Sequence, residues 1–136
     1  MKIEDKILEQ GKIKQVIDKE KSKGKKIGFC SGCFDIIHSG HAVFFQKCKE
    51  YVDVLVVDIG SDSVVKKLKG PDRPINPEKN RVFLIAAMKD VDYAILGEEI
   101  EEMRPGKIDF WHIIREIMPD YFLLNEDDDA IKEKQE

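Results

Sequence analysis

The stretch Gly32-Cys33-Phe34-Asp35-Ile36-Ile37-His38-Ser39-Gly40-His41 decides how this chain folds and where it binds. Before it, Ile27-Gly28-Phe29-Cys30 is an apolar run of strand type, and after it Ala42-Val43-Phe44-Phe45-Gln46-Lys47-Cys48 reads as a helix. A glycine-bearing turn from strand into helix gathers unpaired backbone N–H groups at the positive end of a helix dipole, a point that attracts phosphate. His38 and His41 stand three residues apart at that helix start, so both imidazoles can face one anion. The residues ask for a phosphorylated ligand held between backbone amides and two histidines.

Outward from this turn, strand and helix patterns alternate. Val52-Asp53-Val54-Leu55-Val56-Val57-Asp58-Ile59 is nearly continuously apolar and β-branched, as a parallel strand buried on both faces should be. Ser61 or Asp62 can cap a short helix through Leu68, and Lys69-Gly70-Pro71-Asp72-Arg73-Pro74-Ile75 has the composition of a loop. Asn76 is placed to cap a helix with Pro77 in its first position, running through Arg81 to Met88. Tyr93-Ala94-Ile95-Leu96 reads as a strand. Residues 107–118 read as a helix with Phe110, Trp111, Ile114 and Ile117 on one stripe, ended by Pro119, and Tyr121-Phe122-Leu123-Leu124 as a further strand. Toward the N-terminus, Ile3, Ile7, Leu8, Ile13, Val16 and Ile17 suit one or two amphipathic helices on a domain edge, broken near Gly11. The expected division is an N-terminal helical extension over 1–24 and a single α/β domain over 25–136. Alternation of this kind predicts an α/β fold, a Rossmann-like three-layer sandwich with a parallel sheet, and ligands beyond the carboxyl ends of its strands.

The bulk properties set bounds on function. A chain of 136 residues is one domain's length and can bury a sizeable core without disulfides. Net charge is −4 with 37% charged residues of both signs, which excludes a strongly basic nucleic-acid footprint. No apolar run approaches membrane-spanning length, and the N-terminus lacks an apolar signal-peptide core. Cys30, Cys33 and Cys48 are a sparse, odd set, so a reducing cytoplasm is the expected setting. Cys30-x-x-Cys33 and His38-x-x-His41 together have a superficial zinc-site look, but the step between the pairs is far shorter than in a finger, and no metal-ligating set is assigned.

Gly32-x-Phe34-Asp35-x-x-His38-x-Gly40-His41 resembles the signature of the cytidylyltransferase-like nucleotidyltransferases. The following Lys66-Lys67-Leu68-Lys69-Gly70, Arg73-Pro74-x-Asn76-Pro77, Arg81 and Val91-Asp92-Tyr93 are more similar to the adenylyltransferase domain of ADP-heptose synthase than to glycerol-3-phosphate cytidylyltransferase or FAD synthetase. The resemblance runs from about Lys25 to Asp127. It implies attack by a substrate phosphate oxygen on the α-phosphorus of ATP or CTP, with release of pyrophosphate and with Mg²⁺ arriving on the nucleotide. By resemblance His38, His41, Lys69 and Arg81 are the catalytic residues. His38 and His41 donate to the triphosphate, Lys69 neutralises phosphate oxygens from a mobile loop, and Arg81 offers a fixed guanidinium to a phosphate. Gly32, Cys33, Phe34, Asp35, Gly40, Lys66 and Asp127 are the implied nucleotide-binding set, and Gly40 is expected to let phosphate approach the backbone. The implied partners are a nucleoside triphosphate and a small phosphorylated acceptor, with no nucleic acid and no membrane, in a homodimer.

The chain departs from the family pattern in three places. Asp58 stands where relatives carry a small apolar residue. Leu124-Asn125-Glu126-Asp127 replaces a Lys-Gly-Gly-Asp-like turn that approaches the base. A Ser/Thr-rich segment that binds the β- and γ-phosphates has no counterpart before Glu136, which leaves two expectations open: a naturally short protein, or a sequence that lacks its C-terminal end. Heptose 1-phosphate with ATP is the leading substrate pair. Glycerol 3-phosphate with CTP, FMN with ATP, and a non-catalytic nucleotide-binding module stay open.

Overall fold

The computed structural model describes residues 1–98 and 111–124. A 3₁₀ turn (Ile3–Lys6) leads into β1 (Ile7–Leu8) and α1 (Gln10–Ser22). Then come β2 (Ile27–Gly32), α2 (Ser39–Cys48), β3 (Val54–Ile59), α3 (Asp62–Lys69), α4 (Glu78–Ala86), β4 (Tyr93–Leu96), α5 (Trp111–Ile117) and β5 (Tyr121–Phe122). The strands form one sheet in the order β1-β4-β3-β2-β5, and every neighbouring pair is parallel. This is the parallel α/β sheet expected from the alternating pattern.

β3 lies in the middle of the sheet and is buried over its whole length, which is why its sequence carries no polar alternation. Its side chains still divide by the period of two. Val54 and Val56 join one apolar cluster with Ile13, Ile17, Ile27, Phe29, Ile95, Ile113 and Ile117. Leu55, Val57 and Ile59 join the opposite cluster with Phe45, Cys48, Val82, Ile85, Ala86 and Ala94. Thus α1 and α5 cover one face and α2 and α4 the other, giving three layers. Each fully buried Ile, Val or Phe here contributes roughly 1.5–3 kcal/mol of transfer free energy.

Three elements differ from the sequence reading. Ile7–Leu8 is an edge strand paired with Ala94 and Ile95, so the N-terminal segment supplies a strand as well as a helix, and Gly11 lies inside α1 rather than breaking it. Asn76 does not cap α4, whose N-cap is Pro77; its side-chain amide donates instead to the Asp35 carbonyl, 2.6 Å away. In α5 the fully buried positions are Ile113 and Ile117, with Ile114 only partly covered, and Phe110 falls outside the described residues. Elsewhere, Ser61 is the residue that caps α3, its hydroxyl accepting from the Val64 N–H.

From β2 the chain steps to β3 and on to β4 on one side, whereas β5 pairs on the other side of β2. The order of the strands therefore reverses beside β2. The turn Cys33–His38 leaves the carboxyl end of that strand, at the switch point where open α/β sheets hold their ligands.

Candidate active site

At the start of α2 the two histidines cap the helix and each other. The Gly40 N–H donates to His38 Nδ1 at 3.1 Å, and the His38 N–H donates to His41 Nδ1 at 3.2 Å. Both Nδ1 atoms are therefore acceptors, so each neutral ring carries its proton on Nε2. The rings stack with centroids 4.1 Å apart and planes 24° apart at the positive end of a ten-residue helix. Burial, and secondarily the neighbouring His38 charge, hold His41 below its ordinary pKa. His41 therefore meets an anion as a neutral Nε2–H donor.

Phe34 fixes this pair from beneath. Its φ of 52° is in the left-handed region, which a bulky residue occupies only when its surroundings demand it. In that conformation the ring packs edge-on against His41, with centroids 5.3 Å apart, and tilts against Phe45 of the core. The glycines of the turn are explained by the same crowding. A Cβ on Gly32 would lie 2.8 Å from the Phe34 ring, and one on Gly40 would lie 2.8 Å from His38 Cε1. Gly40 thus makes room for the imidazole that caps it, a geometric need separate from any approach of phosphate.

Asp35 is 3% exposed, and its carboxylate is consumed inside the protein. It accepts from the Ile75 and Asn76 amides, each at 2.9 Å, and from Arg73 Nε. Burial alone would raise its pKa, but the Asn76 and Ile75 amides and the Arg73 guanidinium together hold it below the usual carboxylate value. It ties the histidine turn to the loop 70–77. In this structure Asp35, expected from sequence to bind nucleotide, acts as a brace.

Arg81, expected from sequence to meet a phosphate, is likewise engaged with protein. Its side chain is 0% exposed and donates to the carbonyls of Asn76 (2.9 Å), Cys33 (2.8 Å) and Gly60 (2.6 Å) and to Asp62 Oδ1 (2.7 Å). The guanidinium fork thus joins the ends of β2 and β3 to α3 and to the loop before α4, facing inward rather than toward a phosphate. Cys33 enters this network through its carbonyl.

Lys66, Lys67 and Lys69 occupy the last turn of α3, where cations also complement the helix dipole. An open groove of about 800 Å³ lies against this helix and the loop, lined by Lys66, Lys67, Asp62, Ser63, Asp72 and Arg73, with prolines and Ile75 completing it. The structure brings Lys66 into that groove, while Lys69 is exposed and is not among its lining residues. Asp58 is fully buried between Ser31 and Ile95 in the sheet register, within the sheet and away from the open groove. Asp127 lies outside the described residues. His112 pairs with Glu98 at 3.3 Å. The sequence reading gave no site role to Arg73, whose only signal was the Arg-Pro-x-Asn-Pro run, and considered Asp62 only as a cap of α3; neither pattern says which side chain faces which neighbour. Among the described residues no three His, Cys, Asp or Glu side chains converge on a point that could hold a metal ion.

A parallel α/β sheet with a histidine-capped turn at its switch point puts an anion-attracting helix start where such folds hold their ligands. The chain belongs to the cytidylyltransferase-like family, whose sequence profile matches residues 29–135, and it is a nucleotidyltransferase by class. It is 51% identical over 86 residues to the bifunctional protein HldE of a Nitratiruptor species, covering 62% of this chain and 19% of that protein. It is 36% identical over 124 residues to the bifunctional protein HldE of Wolinella succinogenes, covering 91% of this chain and 24% of that one. The chain thus spans about a fifth to a quarter of the length of these relatives. Among solved structures it is similar to the lipopolysaccharide core biosynthesis protein from Thermoplasma volcanium, with a TM-score of 0.62 and 30% identity, over 82% of this chain and 85% of that one.

Proposed function

We propose that the protein transfers a nucleoside monophosphate from ATP to a sugar 1-phosphate, with heptose 1-phosphate as the leading acceptor, and releases pyrophosphate. The observation that carries this reading is the pair of stacked imidazoles, ring centroids 4.1 Å apart, with Nδ1 accepting in each and Nε2–H left to donate at the α2 start. A phosphate oxygen of the acceptor attacks the α-phosphorus, the bond to the β-phosphate oxygen breaks, and pyrophosphate leaves with the electron pair. No covalent enzyme intermediate is needed, so catalysis comes from placing the reactants in line and stabilising charge. His38 and His41 donate to oxygens on which negative charge grows, and the α2 dipole adds to them. Mg²⁺ enters as part of the nucleotide substrate, held by its phosphates. A carbohydrate acceptor is supported by the name of the similar solved structure, a lipopolysaccharide core biosynthesis protein. The cytoplasm, where nucleoside triphosphates are kept and thiols such as the three free cysteines stay reduced, is the proposed place of action, and a homodimer the proposed state.

The test is pyrophosphate release with Mg²⁺, crossing ATP and CTP against heptose 1-phosphate, glycerol 3-phosphate and FMN. Release confined to ATP with heptose 1-phosphate is the expected result. Release with CTP and glycerol 3-phosphate alone overturns the base and acceptor but keeps the reaction, and silence in all six mixtures overturns the reaction.

A further inference from the structure

The structure assigns a second anion site to the groove between α3 and the loop 70–77: we propose that it seats the phosphorylated acceptor, Arg73 holding the phosphate and Asp72 and Ser63 ordering hydroxyl groups. The inference rests on the transferase reading and adds a place for its second substrate. Arg73 lines the groove and spends only its Nε on protein, the bond to Asp35. Its two Nη groups have no hydrogen-bond partner among the described residues. Asp35 is buried and pinned by two backbone amides, so the guanidinium it grips is held in place by a fixed partner. What remains is the Nη fork, whose spacing matches two oxygens of a phosphate, at far lower ordering cost than a free arginine. Lys66 and Lys67 add positive charge to the same groove.

The composition of the wall says which phosphate it suits. Three cations share the groove with Asp62 and Asp72, and Asp62 is already bonded through Oδ1 to the buried Arg81. A triphosphate would be repelled by carboxylates, whereas a phosphomonoester bearing several hydroxyl groups satisfies both signs, since carboxylates accept from hydroxyls. An in-line displacement also needs two anion sites, one for the attacked phosphate and one for the attacking phosphate. The histidine pair supplies the first. The groove supplies the second, linked to the turn through Asp35–Arg73 and through Cys33–Arg81–Asp62.

Two-dimensional NMR of the full chain reads both sites separately, with inorganic phosphate and a hexose 1-phosphate as probes. In the wild type both probes should shift the Ser63 and Ile75 amides, the hexose phosphate binding more tightly. In R73Q that response should weaken at least tenfold while shifts at Ser39 and His41 persist, and R73K, keeping charge without the fork, should fall between. H41A should show the reverse. Unshifted Ser63 and Ile75 amides in the wild type, or an unchanged response in R73Q, overturn the acceptor site. So does an R73Q variant whose ATP affinity falls as much as its hexose-phosphate affinity, because the groove then holds the nucleotide. Pyrophosphate release separates this from the transferase reading. An R73Q-sensitive groove in a protein that transfers nothing leaves the site standing and removes the reaction. Transfer with an unaltered acceptor KM in R73Q does the opposite.

Discussion

In the proposed reaction the residue to test first is His41, because one ring serves both the fold and the candidate site. Its Nδ1 accepts from the His38 amide, and its edge-on contact with Phe34 anchors the ring to the core. Replacing either histidine by Ala should lower kcat by roughly 10²–10³, the loss seen when one oxyanion donor is removed. Far-UV circular dichroism should be unchanged, and near-normal turnover in both variants would remove the pair from the mechanism. The lowered pKa of His41 sets a second expectation, since burial and the His38 charge both disfavour its protonated form. As pH falls, the unfolded chain takes up this proton near the ordinary value of 6.5, before the folded chain does. Stability is therefore full above that value and is lost as pH drops from it toward the folded pKa. An NMR titration of the His41 ring should give a midpoint below 6.5, and a midpoint above it would mean that the ring is paired with an anion instead.

Between elements the decisive unit is the double brace of Asp35 and Arg81, which ties the loop 70–77 to the histidine turn. Arg81→Ala leaves the Cys33, Gly60 and Asn76 carbonyls without their donor and should cost roughly 3–5 kcal/mol, like other broken buried pairs. Arg81→Lys, with charge but no fork, should recover little. In urea the midpoint should fall with the slope unchanged; intact stability together with weakened nucleotide binding would return Arg81 to the phosphate role that its motif suggests. Asp35 also contributes to acid behaviour. Its folded pKa lies below the ordinary 3.8, so its stabilisation is complete above 3.8 and is lost as pH falls through the folded value. Asp35→Asn should flatten the acid-unfolding curve in that window, and an identical curve would show that other carboxylates dominate. The sequence announced the elements these residues join, because β2, α2 and β3 are written in local period and glycine placement. It did not announce the braces. Asp35, Asn76 and Arg81 are polar residues in a motif, and only the packing of three loops decides that they face one another instead of a ligand.

At the scale of the molecule, the sheet has two cores, and the N-terminal residues are built into both. Ile3 and Ile7 pack on the cluster under α2 and α4, while Leu8, Ile13 and Ile17 belong to the one under α1 and α5. Further ties are the Gln10 side chain donating to the Leu96 carbonyl and Lys21 Nζ to the Met118 carbonyl. A two-residue strand such as Ile7–Leu8 has no period of its own, so the sequence showed an amphipathic helix there and hid the strand inside its pattern. The helix was legible because Ile13 and Ile17 recur four residues apart on one face. If this segment were an appendage, its loss would leave the sheet intact. Because it covers Ile27, Phe29 and Val56 from one side and pairs the edge of β4, its loss should instead expose a core face and an unpaired strand. Ile17→Ala should therefore cost roughly 2–5 kcal/mol, as for other fully buried isoleucines, even though the residue is remote from the histidines in sequence and lies in the opposite cluster from Phe34 and Phe45. A chain beginning at Lys25 should show no cooperative urea transition. A sharp transition with native-like slope in that shortened chain would prove the first 24 residues to be an addition to the fold rather than part of it.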